Sequence, residues 1–254
     1  MKIDILTLFP KMFEGPFDES IIKRAQDKKL VEINIHDLRK WGLDSRKTVD
    51  DRPYGGGVGM IMRADVIDSA LHSLKTPKIQ TSKTQNNKLK TKIILLDAGG
   101  KKFDQKRAVQ LSKVDRLILI CGHYEGVDFR VHEHLVDEVI SIGDYILTGG
   151  EIPAMVLVDS ITRLIPGVLE KSDATKFESF SPSLTTHHPQ LTTKLEYPQY
   201  TRPEIYKGWK VPKVLLSGNH KEIEKWKKAE ALKRTKKVRP ELIEPQFTSS
   251  TDSK

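Results

Sequence analysis

The chain is expected to be an α/β protein built on a parallel sheet, followed by a small, mainly helical C-terminal domain. Two observations carry that expectation. Apolar runs alternate with amphipathic segments through the first 160 residues or so. Glycine-bearing segments then follow three of those runs: Leu96-Asp-Ala-Gly-Gly100, Cys121-Gly-His-Tyr-Glu-Gly126 and Ser141-Ile-Gly-Asp-Tyr-Ile-Leu-Thr-Gly-Gly-Glu151. A strand–helix–strand rhythm implies parallel strands with helices on both faces. Loops at the C-terminal ends of such strands are the usual place for a ligand.

Taken in order, Ile3 to Phe9 alternates like a strand, and Ser20 to Leu30 places Ile21, Ile22 and Ala25 on one helical face. Val31 to His36 alternates again. The glycine-rich segment Asp50 to Gly59 precedes a helix expected over Ala64 to Leu74. Thr76 to Lys90 is polar without an apolar period and predicts an exposed, mobile loop. Strands are expected at Lys92 to Leu96, Leu117 to Ile120 and Glu138 to Ile140, with a short helix at Asp128 to Leu135. Glu151 to Ile165 predicts a helix with Pro153 in its first turn, where the missing N–H costs nothing. The expected organisation is a ligand-binding domain over residues 1–169, a linker over 170–189, a helical domain over 190–246 and a frayed tail over 247–254.

Composition narrows the class. The formal charge of +9 is concentrated in residues 221–240, which hold nine Lys or Arg against three Glu. That segment is either a basic helix presented to a polyanion or a solvated helical face. Its apolar stripe, Ile223, Trp226, Ala229 and Leu232, is too narrow for a membrane surface and suits packing on the protein. Asp4 and Pro10 argue against a signal peptide, and no apolar run has the length of a membrane span. The lone Cys121 excludes an intrachain disulfide and a multi-cysteine zinc site. A cytoplasmic location is expected, and no residue is assigned to a metal.

Neither common nucleotide fingerprint fits. Gly55-Gly-Gly-Val-Gly59 is followed by Met60 where a dinucleotide loop needs glycine, and no phosphate-loop lysine is present. The glycines instead fit a ligand read through an adenine edge and a small zwitterion. His132 and His134 flank Glu133 without further ligands, as at a solvated helix end. Asp50-Asp51-Arg52 is either a loop-fixing ion pair or a contact to a nucleobase.

Taken together, Thr48-Val-Asp-Asp-Arg-Pro-Tyr-Gly-Gly-Gly57 with Gly59-Met60, Cys121 to Gly126, Ser141 to Glu151, Arg163-Leu-Ile-Pro-Gly-Val168, Tyr200-Thr-Arg-Pro203 and Leu216-Ser-Gly-Asn-His220 closely resemble the bacterial tRNA (guanine-N1)-methyltransferase family of the SPOUT class. The resemblance runs from Met1 to about Pro245. It implies a deep trefoil knot, S-adenosylmethionine bound bent within it, a homodimer with the active site between subunits, and a C-terminal domain that grips tRNA. The implied reaction is methylation of N1 of guanosine 37, just 3′ of the anticodon, with magnesium as an additional requirement. Its rivals are a related SPOUT enzyme with another target base and a non-catalytic RNA-binding relative.

By the same resemblance the cofactor residues are Ala98, Gly99, Gly122, Tyr124, Glu125, Gly126, Ile142, Gly143, Tyr145, Leu147, Gly149 and Gly150. Arg163 would supply positive charge near O6 of the base, unless it only caps its helix. The family's Asp-Ser-Phe triplet is here Glu178-Ser179-Phe180, so Glu178 is expected as the base, ahead of Asp173 or a water. Asp50 and Arg52 would read guanine edges, while Arg202, His220, Lys225 and Arg234 would meet phosphates. His123 stands where the family commonly has Arg, and Leu96 to Gly100 where Ser-Pro-Gln-Gly is familiar.

Overall fold

The apolar runs form the centre of a parallel sheet. In the computed structural model, which describes residues 1–75, 89–171, 174–176, 178–181 and 195–243, the strands are β1 (Lys2–Thr7), β2 (Glu32–Asp37), β5 (Thr91–Lys102), β6 (Arg116–Cys121) and β7 (Glu138–Ser141). Their order is β2-β1-β6-β5-β7 and every pairing is parallel. Two short strands, β3 (Asp50–Asp51) and β4 (Ile61–Met62), pair antiparallel beside the sheet. The chain divides into two compact units, Met1–Glu170 and Lys171–Lys254.

Both faces of the sheet are buried, which is why its strands are nearly continuous apolar runs. Ile3, Ile5, Ile94, Leu117 and Leu119 face one core, closed by α1 (Ser20–Asp27), α3 (Gln105–Leu111) and α5 (Glu151–Thr162). Leu6, Ile93, Leu95, Ile118 and Ile120 face the other, closed by α2 (Ala64–Lys75) and α4 (Phe129–His134). Two carboxylates are buried among the described residues, Asp4 and Glu151. Asp4 is 1% exposed and is held by Arg116 at 2.7 Å and His36 at 2.8 Å. Burial alone would push the Asp4 carboxyl up, but hydrogen bonds from His36 and Arg116 outweigh it and hold the group below its ordinary range.

Several expectations need correction. Leu96 to Gly100 is not a free loop: β5 continues to Lys102, with a bulge in which Leu96 and Lys101 both face Ile140. Gly100 permits this, because a Cβ there would stand 2.6 Å from the Ile140 nitrogen. The first helix ends at Asp27, short of Leu30, because Lys29 turns left-handed (φ 57°) and the Leu30 N–H bonds back to the Ala25 carbonyl at 2.9 Å. Likewise α5 ends at Thr162, and the Leu164 and Ile165 N–H groups make tighter three-residue turns before Pro166.

In the second unit the structure adds a hairpin that the helical expectation omitted, β8 (Ile205–Tyr206) with β9 (Trp209–Lys210). Its turn, Lys207-Gly208, takes positive φ at both residues (51° and 85°), as a two-residue hairpin requires. Two helices follow, α6 (Lys213–Leu216) and α7 (His220–Val238). Asn219 caps α7 by accepting from the Glu222 N–H at 3.3 Å. The residues α7 buries are Ala231 and Thr235, so Ala229 of the expected stripe is exposed. An extended segment follows the helix in contact: Leu195 N–H donates to Thr235 Oγ1 at 3.0 Å, and Tyr200 packs on Trp226. The expected loop at 76–90, save its last two residues, most of the linker with Asp173, His187 and His188, and the tail at 247–254 lie outside the described residues.

Candidate functional site

The C-terminal ends of β5, β6 and β7 converge on one cavity of about 300 Å³, within the range of small-molecule sites. The loop after β7 returns to the loop after β6. His123 and Gly149 form an antiparallel bridge, and the Gly150 N–H donates to the Gly122 carbonyl at 2.8 Å. This closeness depends on glycine, because a Cβ on Gly150 would lie 2.6 Å from the Cys121 Cα. The first part of the loop is tied to itself: Ser141 Oγ and Gly143 exchange hydrogen bonds, and the Tyr145 hydroxyl donates to the Ile142 carbonyl at 3.2 Å.

Every cofactor residue expected above lines this cavity except Gly99, which is exposed on the β5 bulge. The remaining wall includes Leu96, Asp97, His123, Ile140, Thr148 and Pro153, which were not assigned to the cofactor from the sequence. Aliphatic side chains and main-chain amides together suit a purine ring and a small zwitterion, so the residues present fit S-adenosylmethionine. Tyr124 is held left-handed (φ 59°), a conformation that costs a non-glycine residue about 1–3 kcal/mol and tends to persist at functional sites. Burial pushes the Cys121 thiol well above its ordinary value, and the nearby Glu151 adds to that shift, so Cys121 is a packing residue and no nucleophile.

The segment from Asp50 to Gly59 is joined to this cavity through β4. The Met62 N–H donates to the Gly126 carbonyl at 3.0 Å, and the Met62 sulfur accepts from the His123 N–H at 3.1 Å. The Glu125 N–H donates to the Met60 carbonyl at 3.1 Å. Beside β4 runs a groove of about 1020 Å³ lined by Arg52, Tyr54, Arg63, Phe129 and Arg130 among others. Of the two readings of Asp50-Asp51-Arg52, the ion pair exists with a different arginine: Asp51 pairs with Arg63 at 3.1 Å. Arg63 also clasps Asp65, and this hydrogen bond holds the Asp65 carboxyl below its ordinary range. Arg52 is exposed, and Asp50 is half-buried in β3.

Arg163 does not join the cavity of its own chain. It caps the C-terminal end of α5, twelve residues after Glu151, which places it about 18 Å along the helix axis from the cavity end. The other expected residues belong to the second unit. Glu178 opens a turn in which its carbonyl accepts from the Ser181 N–H at 3.0 Å, and Phe180 is left-handed (φ 68°). Ser179 Oγ accepts from the Glu196 N–H at 2.9 Å, anchoring the turn. Arg202, His220, Lys225 and Arg234 are all exposed, and Arg234 donates to the Glu196 carbonyl at 3.1 Å.

Comparison with known proteins places the chain in a family. A family model described as tRNA (Guanine-1)-methyltransferase TrmD matches residues 1–245. A protein from Dictyoglomus turgidum named tRNA (guanine-N(1)-)-methyltransferase is 50% identical over 252 residues, covering 99% of this chain and 94% of its own. Proteins of the same name from Citrifermentans bemidjiense and Bacillus pumilus are each 48% identical across the full 254 residues, covering 94% and 96% of their own lengths.

Proposed function

Because the chain belongs to the tRNA (guanine-1)-methyltransferase family, we propose how its parts divide that enzyme's work. The chain is a tRNA (guanine-N1)-methyltransferase that uses S-adenosylmethionine as methyl donor. The observation that carries the assignment of parts is the cavity at the ends of β5, β6 and β7, lined by the motif glycines. The donor supplies an electrophilic methyl group. The protein must hold it in line with N1 of guanine, remove the N1 proton and offset the charge that develops at O6.

In this proposal Glu178 takes the proton and Arg163 faces O6. Glu178 keeps the carboxylate of the more usual Asp on a stem one methylene longer. The distance of Arg163 from the cavity of its own chain supports a homodimer in which one copy's Arg163 serves its partner's cavity. Exposed apolar side chains near that cavity, Ile146, Ile152 and Val156, support the same reading. A trefoil knot is supported by the path of the chain: β7 lies beyond β5, yet the segment after it returns to bond with the loop after β6.

The tRNA would be read by the Asp50 to Gly59 segment and gripped by the second unit. Lys225, Lys228 and Lys236 on α7 are exposed and suited to phosphates. Guanosine 37 is the proposed target and the cytoplasm the proposed location; among the described residues no helix is long and apolar enough to cross a membrane. A magnesium requirement belongs to the proposal, and titration with a chelator tests it. The central test is methyl transfer to two tRNA transcripts that differ only in guanosine or adenosine 3′ of the anticodon. Incorporation into the guanosine transcript alone is expected; equal incorporation into both would overturn the target.

A further inference from the structure

Beneath the cavity lies a carboxylate that the reaction as described does not use. Glu151, the first residue of α5, is 1% exposed. Its Oε1 accepts the Thr7 hydroxyl at 2.7 Å, and Thr7 Oγ1 in turn accepts from the Phe9 N–H at 2.9 Å. Among the described residues no Lys or Arg pairs with Glu151. Its other oxygen, Oε2, lies 2.4 Å from the point where a Cβ on Gly149 would stand, and the His123 Nδ1, buried without a hydrogen-bond partner, lies 2.7 Å from the same point. Gly149 lines the cavity, so the carboxylate and the ligand space both border this one glycine.

A buried carboxylate facing a neutral hydroxyl is costly unless positive charge compensates it. The N-terminus of α5 supplies a partial positive charge, but no Lys or Arg of the described chain meets it. The cavity's ligand can. Methyl transfer breaks a carbon–sulfur bond and forms the N1–carbon bond, the N1 proton passing to the base. The sulfonium cation thereby becomes a neutral thioether. We propose that Glu151 is the residue by which the donor site discriminates charge, favouring the sulfonium of the donor over the neutral thioether of the product. The inference rests on the reading of this cavity as the S-adenosylmethionine site. Its consequence is that spent cofactor is held less tightly than fresh cofactor, which limits product inhibition.

The test is calorimetric binding to the full-length protein of S-adenosylmethionine, S-adenosylhomocysteine and sinefungin, which carries an amine cation near the sulfonium position. Glu151→Gln keeps an acceptor for Thr7 and removes the charge. In that variant both cationic ligands are expected to weaken by about tenfold and the thioether by less than about twofold. Glu151→Asp, which retains the charge, should keep the preference for cations, and Thr7→Val should keep it too. Equal weakening of all three ligands in Glu151→Gln would make Glu151 a structural strut, and unchanged binding of all three would also overturn the proposal. Wild-type protein that binds none of them would instead overturn the reading of the cavity itself.

Discussion

The unit Met1–Glu170 and the unit Lys171–Lys254 are held together by different chemistry. In the first, strands are buried on both faces and helices close two apolar cores. In the second, Leu195 and Ala231 are the only buried apolar residues among those described. Its order comes instead from hydrogen bonds between side chains and main chain: Thr235 to Leu195, Arg234 to Glu196 and Ser179 to Glu196. The difference matches the proposed tasks. A small, partly apolar cofactor needs a rigid cavity, whereas a polyanion needs exposed charge on a framework that need not be dry.

The largest effect expected from this division is chemical. Glu178→Gln should lower single-turnover methyl transfer by about 10²- to 10⁴-fold, the usual contribution of a general base, while leaving S-adenosylmethionine binding intact. Full activity would remove Glu178 from the mechanism. Next is a test of the first unit's interior. Asp4→Asn should lower thermal or denaturant stability by about 3–5 kcal/mol, because it leaves the Arg116 guanidinium without its charged partner. The wild type carries the same dependence in pH. The Asp4 carboxyl is held below its ordinary 3.8, so its contribution is present at higher pH and is lost as the pH falls below about 4 through the lowered value. Asp4→Asn should flatten that acid limb of the stability profile.

A smaller effect belongs to the second unit. Replacing Lys225, Lys228 and Lys236 together by Gln should weaken tRNA binding and reduce the slope of log affinity against log salt by about 2 to 3. Cofactor binding and the melting transition should be unchanged. A salt slope equal to that of the wild type would show that α7 does not meet the RNA backbone.

The sequence made these two units legible by different signals. The strands of the first announce themselves because burial on both faces demands continuous apolar runs, and Leu117 to Ile120 has no other explanation. Two of its three glycine segments, Cys121 to Gly126 and Ser141 to Gly150, were equally plain as loops after strands. What escaped was non-local: the bulge after Leu96 depends on Ile140, and the burial of Glu151 depends on Thr7, 144 residues away. In the second unit, charge drew attention to α7 and away from the hairpin, although Lys207-Gly208 between Tyr206 and Trp209 carried a usable turn signal. Of the expected stripe on α7, Ile223, Trp226 and Leu232 are half-buried, but the helix buries Ala231 and Thr235, and Thr235 meets the extended segment at Leu195. That Arg163 stands far from the cavity was readable from helix length alone.

The claim on which the account turns is that the catalytic site is completed between two copies. It is tested by pairing two inactive variants, Arg163→Gln and Leu147→Arg, the latter blocking the cavity. Each is purified alone, and the mixed dimer is isolated through two different tags. Methyl transfer is then measured for all three. If one copy's Arg163 serves its partner's cavity, the mixed dimer holds one complete site and recovers about half the wild-type rate. A mixed dimer as inactive as both parents would contradict a shared site and return Arg163 to a structural role at the end of α5.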